Sequence, residues 1–289
     1  MISRSIHESL EKKINEMKSK CFKVPKLVVI LVGNNPASIS YVKAKEKACK
    51  KVGIICHIER LEEKVTENNL IKYIDELNVD TEIDGMIVQL PLPKKLDEER
   101  IIQSILPQKD VDGLTNENLG LLASGKPRFV PATPLGVQKL LNEIGIKTEG
   151  ENIVIIGRSK LVGIPLALLL SSKSDLGNAT VTICHSKSKD LKALTLKADI
   201  VIVATGFPST LTRNMVKENS IVIDVGVNRI EDSSKKNGYR LIGDSDFEEI
   251  IDKVSKITPV PGGVGPMTIA MLLSNVTKAF IINNDIKNL

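Results

Sequence analysis

The sequence predicts an α/β protein of two lobes, each built on a parallel sheet, with a cleft between them. Three observations carry that prediction. Short β-rich runs alternate with segments of helical length almost throughout, the runs fall into two series, and a stretch rich in proline and glycine separates the series. Strands that alternate with helices need crossover connections, and these give parallel sheets covered by helices on both faces. A chain of 289 residues with 42% hydrophobic content is long enough for two cores.

The opening segment, MISRSIHESLEKKINEMKSK, is charged and carries Glu8 and Glu11. It has neither the apolar centre of a secretion signal nor the acid-poor character of a transit peptide. The first series places strands near 26–32 (KLVVILV), 54–60 (IICHIER) and 84–89 (DGMIVQ), with helices over 38–52 and 67–78 between them. Residues 106–134 hold Pro107, Gly113, Gly120, Gly125, Pro127, Pro131 and Pro134 and read as an irregular connection. A helix from about Thr133 to Ile144, stopped by Gly145, links the lobes. The second series has strands near 152–156 (NIVII), 179–184 (ATVTIC), 200–204 (IVIVA) and 220–224 (SIVID), with helical segments near 161–171 and 187–197. The last helix is expected to start at Pro266, a residue favoured in a first helical turn, and to run to about Ile281. The expected domains are 1–132 and 133–265, with a C-terminal helix over about 266–286 packing back on the first.

Composition narrows the function. The formal charge is +5, but the basic residues are scattered, tryptophan is absent, and no basic run is interleaved with aromatics. Nucleic acid is therefore excluded as a partner, while a mild positive excess suits an anionic small molecule. Cys21, Cys49, Cys56 and Cys184 form no CxxC pair, and Cys56 and Cys184 lie in apolar runs and read as buried thiols of a reducing compartment. His7, His57 and His185 are too scattered for a triad, and Cys56-His57 lacks further ligands at metal spacing, so no metal is expected. Apolar runs such as Leu27–Val32 and Leu166–Leu170 fall short of a membrane span. A cytoplasmic protein without a membrane partner is expected.

Tyr41 and Lys45 stand four residues apart in SISYVKAKEKACKKVG, on one face of a helix. An amine one turn from a phenol can shuttle protons for a flat, partly cationic substrate. Gln89 ends an apolar strand and needs a partner, while Asp110 and Asp112 flank a turn in QKDVDGLT. A carboxylate or glutamine near Lys45 would set its pKa and could bind a heterocycle's N–H groups.

NIVIIGRSKLVGIPLALLL reads as strand, loop and helix, the opening of a Rossmann-type dinucleotide-binding domain. Gly157 lets the chain turn, Gly163 lets helix and sheet approach, and Pro165 suits the first turn. The loop then offers backbone N–H groups and a positive helix end to a phosphate. The spacing is G-x-S-x-x-x-G-x-P, so it only approximates the usual fingerprint. NAD sites place an acid at the end of the next strand. Here the strand ends in Cys184-His185-Ser186-Lys187-Ser188-Lys189, with no acid until Asp190. Arg158, one of only eight arginines, has the planar fork that grips phosphate. Arg158, Ser159 and Ser186 favour a 2′-phosphate, hence NADP. In TPVPGGVGPMT, Gly262, Gly263 and Gly265 allow close backbone approach to a planar ligand, and Pro259, Pro261 and Pro266 stiffen the loop.

YVKAK, DGMIVQLPLP, KDVDG, PATPLG, GRSKLVGIP, VIDVGVNR and TPVPGGVGPMTIAMLL occur in this order from residue 41 to about 273. The chain closely resembles the bifunctional methylenetetrahydrofolate dehydrogenase/methenyltetrahydrofolate cyclohydrolase family. The resemblance implies that Lys45 is the catalytic lysine, assisted by Gln89, that Tyr41 packs on the folate's aminobenzoyl ring, and that Asp112 holds the pterin. It implies that Leu90 and Pro91 line the substrate site and that Pro261, Gly262 and Gly263 border folate and nicotinamide. Gly157, Arg158, Ser159, Gly163, Pro165, His185, Ser186, Thr205, Gly206 and Gly263 match cofactor positions. It further implies a homodimer. The alternative within the family is a single-activity member, dehydrogenase only or cyclohydrolase only, and outside it a non-catalytic nucleotide-binding or interaction module. Ala132 stands where cysteine is frequent, and Ser245 replaces an apolar residue. The family's leucine-aspartate-glycine-lysine-like segment before the first helix is lacking, so that helix is expected to pack less firmly.

Overall fold

A computed structural model describes residues 2–21, 23–235 and 238–286. The chain divides into two compact units, Met1–Ala132 with Ile269–Leu289, and Thr133–Thr268. The first contains α1 (Ile2–Cys21), β1 (Lys26–Val32), α2 (Pro36–Val52), β2 (Ile55–Leu61), α3 (Glu67–Val79), β3 (Gly85–Val88), α4 (Glu98–Gln103) and α5 (Asn116–Ala123). Its three strands are all parallel, in the order β2-β1-β3. Burial of both faces explains why the central strand is an unbroken apolar run, with Leu27 to Val32 all buried.

Caps set the helix bounds. The Asn35 side chain accepts from the N–H groups of Ala37 and Ser38, Pro36 opens α2, and left-handed Gly53 closes it through an N–H bond to the Cys49 carbonyl. Buried Lys109 donates to the Leu77 carbonyl at 2.8 Å and to the Asp80 carbonyl, satisfying orphan acceptors at the end of α3. The same segment then runs beside β3, where Met86 N–H donates to the Lys109 carbonyl at 2.8 Å. Only glycine fits opposite it: a Cβ on Gly85 would come within 2.4 Å of Val111 Cγ1.

The second unit follows with α6 (Ala132–Glu143), β4 (Asn152–Ile156), α7 (Gly163–Ser171), β5 (Thr180–Cys184), α8 (Leu191–Thr195), β6 (Ile200–Val203), β7 (Ile221–Asp224), β8 (Asn228–Glu231), β9 (Tyr239–Ile242), α9 (Phe247–Ile250) and β10 (Lys256–Ile257). Five parallel strands take the order β10-β7-β6-β4-β5, and β8 and β9 form an antiparallel hairpin. Counted within the unit this is the 2-1-3-4-5 order of a doubly wound sheet, whose reversal lies between β4 and β6. The final helix, α10 (Val264–Asn283), returns the chain to the first unit. There Asn275 donates at 2.8 Å to the carbonyls of both Val111 and Val130.

Asp84, 4% exposed, accepts from Lys26 N–H at 2.8 Å and from the Asn284 amide at 3.3 Å. Burial outweighs these bonds and pushes its pKa up to about 6. A carboxyl raised above its unfolded value binds its proton more tightly when folded. Its contribution to stability therefore falls as pH rises from about 4 to 6 and stays low above that window. Asp84→Asn is expected to gain about 2 kcal/mol on the parent between pH 4.5 and 7. Urea unfolding midpoints at both pH values measure this, and a pH-independent difference would count against it.

Several expectations need correction. The stretch 106–134 contains a helix, α5, whose Gly120 and two asparagines hid its pattern. α4, α9, β10 and the β8–β9 hairpin were too short to show a period. α8 has five residues rather than filling 187–197, and α10 begins at Val264, so Pro266 is its third residue and still within the turn that needs no donor. α1 packs firmly: Ile14 and Met17 are fully buried, and Ile14 Cγ2 is where a Cβ on Gly53 would make contact at 3.3 Å. Cys56 is only half-buried, while Cys49 is fully buried. α10, with mean hydropathy 1.3, is long and apolar enough by length and composition to cross a membrane, yet 56% of that window is buried inside the protein. Its polar residues, among them Asn275 and Thr277, broke the apolar run that the eye follows.

Candidate active site

In the first unit the chain passes from β1 to β2 on one side, then crosses to β3 on the other. Ligands of such sheets bind beyond the carboxyl ends of the strands flanking this reversal. α2 follows β1 there, and Gln89 directly follows β3, with its N–H extending the ladder to the Ile30 carbonyl at 2.8 Å. Lys45 Nζ donates to Gln89 Oε1 at 3.0 Å. The Gln89 amide nitrogen donates in turn to the Leu90 carbonyl at 2.7 Å, which fixes the oxygen toward the lysine.

Burial pulls the Lys45 ammonium below the ordinary lysine range, and the Asp112 carboxylate pulls the other way. Burial likewise pushes Asp112 up, opposed by Lys45 and reinforced by Asp110. The two aspartates of the turn divide the work. Asp110, 1% exposed, accepts from Thr115 N–H at 2.8 Å and the Asn118 amide at 2.9 Å, so it is structural. Asp112 acts on Lys45. Tyr41 lies one turn before Lys45 on α2 with 43% of its surface exposed, leaving its ring open to a flat ligand. Leu90 is half-buried and Pro91 exposed. An amine, an amide and a carboxyl set around one point can take a proton, return it and bind N–H groups.

In the second unit the reversal point carries the glycine loop. A Cβ on Gly163 would meet the Gly157 carbonyl at 2.1 Å, and one on Gly157, at φ +130°, would meet the Ala204 carbonyl at 2.3 Å. The ends of β4 and β6 and the start of α7 are thus in backbone contact, as a loop that cradles a phosphate requires. Ser159 Oγ accepts from Val162 N–H at 3.1 Å and helps start the helix, while Pro165 is buried in its first turn. Gly157 N–H donates to the Cys184 carbonyl at 2.9 Å, joining this loop to the end of β5. There His185 Nδ1 accepts from Lys187 N–H at 3.1 Å, and Ser186 and Arg158 are exposed. Asp190, the first acid after β5, caps α8 by accepting from Ala193 N–H at 3.1 Å, so it is spoken for. These residues fit a dinucleotide bearing a 2′-phosphate.

Two further aspartates, absent from the expected site residues, order the loop that follows β6. Asp244, with no exposure, accepts through Oδ2 from the N–H groups of Thr205 (2.6 Å) and Gly206 (2.8 Å) and from Thr205 Oγ1 (3.0 Å). Asp224 accepts from Gly226, Asp244 and Ser245 N–H groups. Asp224 and Asp244 lie in the motifs VIDVGVNR and GDSDF, and for Asp224 an acid closing an apolar strand was the available signal. Pro261, Gly262 and Gly263 form a turn in the same unit, with Gly262 at φ +112° and Gly263 N–H donating to the Pro259 carbonyl at 2.9 Å.

Comparison with known proteins identifies the family. Residues 1–112 match the family profile described as tetrahydrofolate dehydrogenase/cyclohydrolase, catalytic domain, and residues 131–284 match its NAD(P)-binding domain. The chain is 49% identical to the bifunctional protein FolD of Cytophaga hutchinsonii over 96% of each chain. The crystal structure of the bifunctional FolD methylenetetrahydrofolate dehydrogenase/cyclohydrolase from Campylobacter jejuni is 48% identical, with TM-score 0.89 over 96% of this chain and 95% of that one. The Trypanosoma brucei methylenetetrahydrofolate dehydrogenase-cyclohydrolase, solved with NADP and an inhibitor, is 34% identical with TM-score 0.91 over 96% and 94%. Shikimate 5-dehydrogenase from Thermus thermophilus, 15% identical at TM-score 0.54, shares the fold alone. With two profiles spanning most of its length, and relatives near half-identical over nearly all of it, the chain belongs to the tetrahydrofolate dehydrogenase/cyclohydrolase family.

Proposed function

We propose that Lys45 moves the protons in the second of two reactions that this chain catalyses. The first oxidises 5,10-methylenetetrahydrofolate to 5,10-methenyltetrahydrofolate. The second hydrolyses that product to 10-formyltetrahydrofolate. Bound NADP+ supplies the hydride acceptor of the first. Residues 1–132 take the folate and 133–265 the cofactor. Gly157, Gly163, Pro165, Thr205, Gly206, His185 and Gly263 form the cofactor's bed, and Arg158, Ser159 and Ser186 grip its 2′-phosphate.

Water must lose a proton as it adds to the methenyl carbon, and a nitrogen must gain one as it departs. A lysine whose pKa is drawn down by burial has the neutral amine for the first transfer and the ammonium for the second. Gln89 orients that amine. Asp112 binds pterin N–H groups, the Tyr41 ring packs on the aminobenzoyl group, and Leu90, Pro91, Pro261 and Gly262 border the substrate. The observation that carries this reading is the 3.0 Å bond between Lys45 and Gln89 in a half-buried setting.

The test mixes the protein with methylenetetrahydrofolate and NADP+ or NAD+, following reduced nucleotide and the methenyl chromophore separately. NADPH formation followed by methenyl decay faster than the uncatalysed rate is expected. Methenyl that accumulates without accelerated decay would refute the second activity. Arg158→Ala should raise the KM for NADP+ about 10- to 100-fold, the worth of one charged bond to phosphate. It should barely affect NAD+, and equal losses would remove the 2′-phosphate role. The same reading extends to a homodimer in the cytoplasm with no nucleic-acid or membrane partner. Light scattering that returned the mass of one chain would overturn the dimer.

A further inference from the structure

The proposed reactions leave two thiols unused beside Lys45. Cys49 lies four residues further along α2, hence on the same face one turn on, and is fully buried. Cys56 lies in β2 and is half-buried. The connection between them is short: Gly53 ends the helix, Ile54 N–H donates to the Cys49 carbonyl at 3.0 Å, and β2 starts one residue later. From there β2 runs back along α2, in the register that pairs Cys56 with Leu27 of β1, and the two thiols come close enough to interact with each other and with Lys45.

We propose that Cys56 is a modification site for hydroperoxides, with Cys49 as its resolving thiol, and that the disulfide so formed switches off hydrolysis at Lys45. The proposal rests on the role given to Lys45 above.

The pair is unequal. The bond from Cys49 draws Cys56 below the ordinary thiol range, burial and the Glu46 carboxylate oppose this, and the Lys45 ammonium assists it. The bond to Cys56 and burial push Cys49 up. Cys56 is therefore both the more accessible sulfur and the readier thiolate, the two properties that select a reactive cysteine. Its thiolate attacks one peroxide oxygen, breaks the O–O bond, and becomes a sulfenic acid as hydroxide or alkoxide leaves and is protonated. The Cys49 sulfur then attacks the sulfenic sulfur, forming S–S and releasing water. Two thiols give up two electrons and two protons, and one hydroperoxide is reduced to water and an alcohol, or to two waters from hydrogen peroxide.

Closure brings the two sulfurs to about 2.05 Å of each other. The last turns of α2 must follow Cys49, and Lys45 sits one turn upstream, held by its bond to Gln89. Oxidation also removes the negative charge that the Cys56 thiolate places near the ammonium.

The test treats the full chain with stoichiometric hydrogen peroxide without folate or nucleotide, then maps peptides by mass spectrometry and assays cyclohydrolase. A peptide linked between Cys49 and Cys56 is expected, with activity falling at least tenfold and returning on addition of dithiothreitol. Cys56→Ser should keep its activity through the treatment. Cys49→Ala, which removes the group that draws the Cys56 thiol down, should oxidise more slowly and leave Cys56 as a sulfenic acid that dimedone traps. Two thiols still free after treatment, a link to another cysteine, or equal inactivation of Cys56→Ser would overturn the proposal. The linked peptide is read without any activity, so finding it in a chain that hydrolyses nothing would support the site and refute the reading of Lys45.

Discussion

Lys45→Met is expected to lower cyclohydrolase activity by about 10²- to 10⁴-fold, the usual worth of a positioned acid–base group, while leaving measurable hydride transfer. Methionine keeps most of the aliphatic stem, so the loss reports the amine and not a cavity. The two activities should separate because hydride transfer needs alignment, whereas hydrolysis needs a proton to leave water and another to reach nitrogen. A pH dependence follows from the same group. Burial holds the Lys45 pKa below the ordinary range, so the rate should fall as pH drops through that lowered value and the amine becomes protonated. The variant's residual rate should lack this limb. Asp112 loses the cation that opposes its burial and should stay protonated to higher pH than in the parent. Single-turnover decay of the methenyl chromophore across pH 5–9 measures all of this. A variant that hydrolyses at the parent's rate would end the assignment of Lys45.

The elements legible in the sequence were those with long, clean patterns. β1 could be read because a strand buried on both faces is apolar at every position, and α2 because Asn35, Pro36 and Gly53 punctuate it. The Tyr41–Lys45 spacing, the glycine loop and the missing acid after β5 needed only local rules. What stayed hidden depends on contacts between distant residues. Nothing in QKDVDGLT says that Asp110 turns inward to Thr115 and Asn118 while Asp112 faces a lysine 67 positions earlier. Gly85 looked like an ordinary strand start, although its bare Cα is what admits Val111. The thiol pair was invisible for the same reason. Cys49 and Cys56 match no motif, and only the return of β2 along α2 brings them into contact.

Asp244→Ala should cost about 3–5 kcal/mol of stability, and the loss should fall chiefly on the cofactor side. The carboxyl is fully buried and accepts from two backbone N–H groups, one hydroxyl and, at 2.8 Å, the Asn228 amide. Alanine strands those donors away from water, and each orphan costs about 1–3 kcal/mol. A Cβ at Gly226 would lie 2.0 Å from Asp244 Oδ1, so the surrounding backbone is shaped to this side chain and has little freedom to re-pair. Asparagine is the informative comparison. It can keep one oxygen toward Thr205 and Gly206, but its amide nitrogen then faces the amide of Asn228. That amide cannot easily turn, because it also donates to the Gly243 carbonyl at 3.1 Å. Asp244→Asn should therefore lose one bond, about 1–2 kcal/mol, and keep the 205–206 loop in place. Calorimetric NADP+ titration beside methenyl hydrolysis separates the consequences. The alanine variant should bind NADP+ at least tenfold more weakly while its hydrolysis rate, which depends on the first unit's Lys45 and Gln89, stays within about twofold of the parent. If alanine and asparagine variants lost stability equally, the shared oxygen would not be what holds the loop.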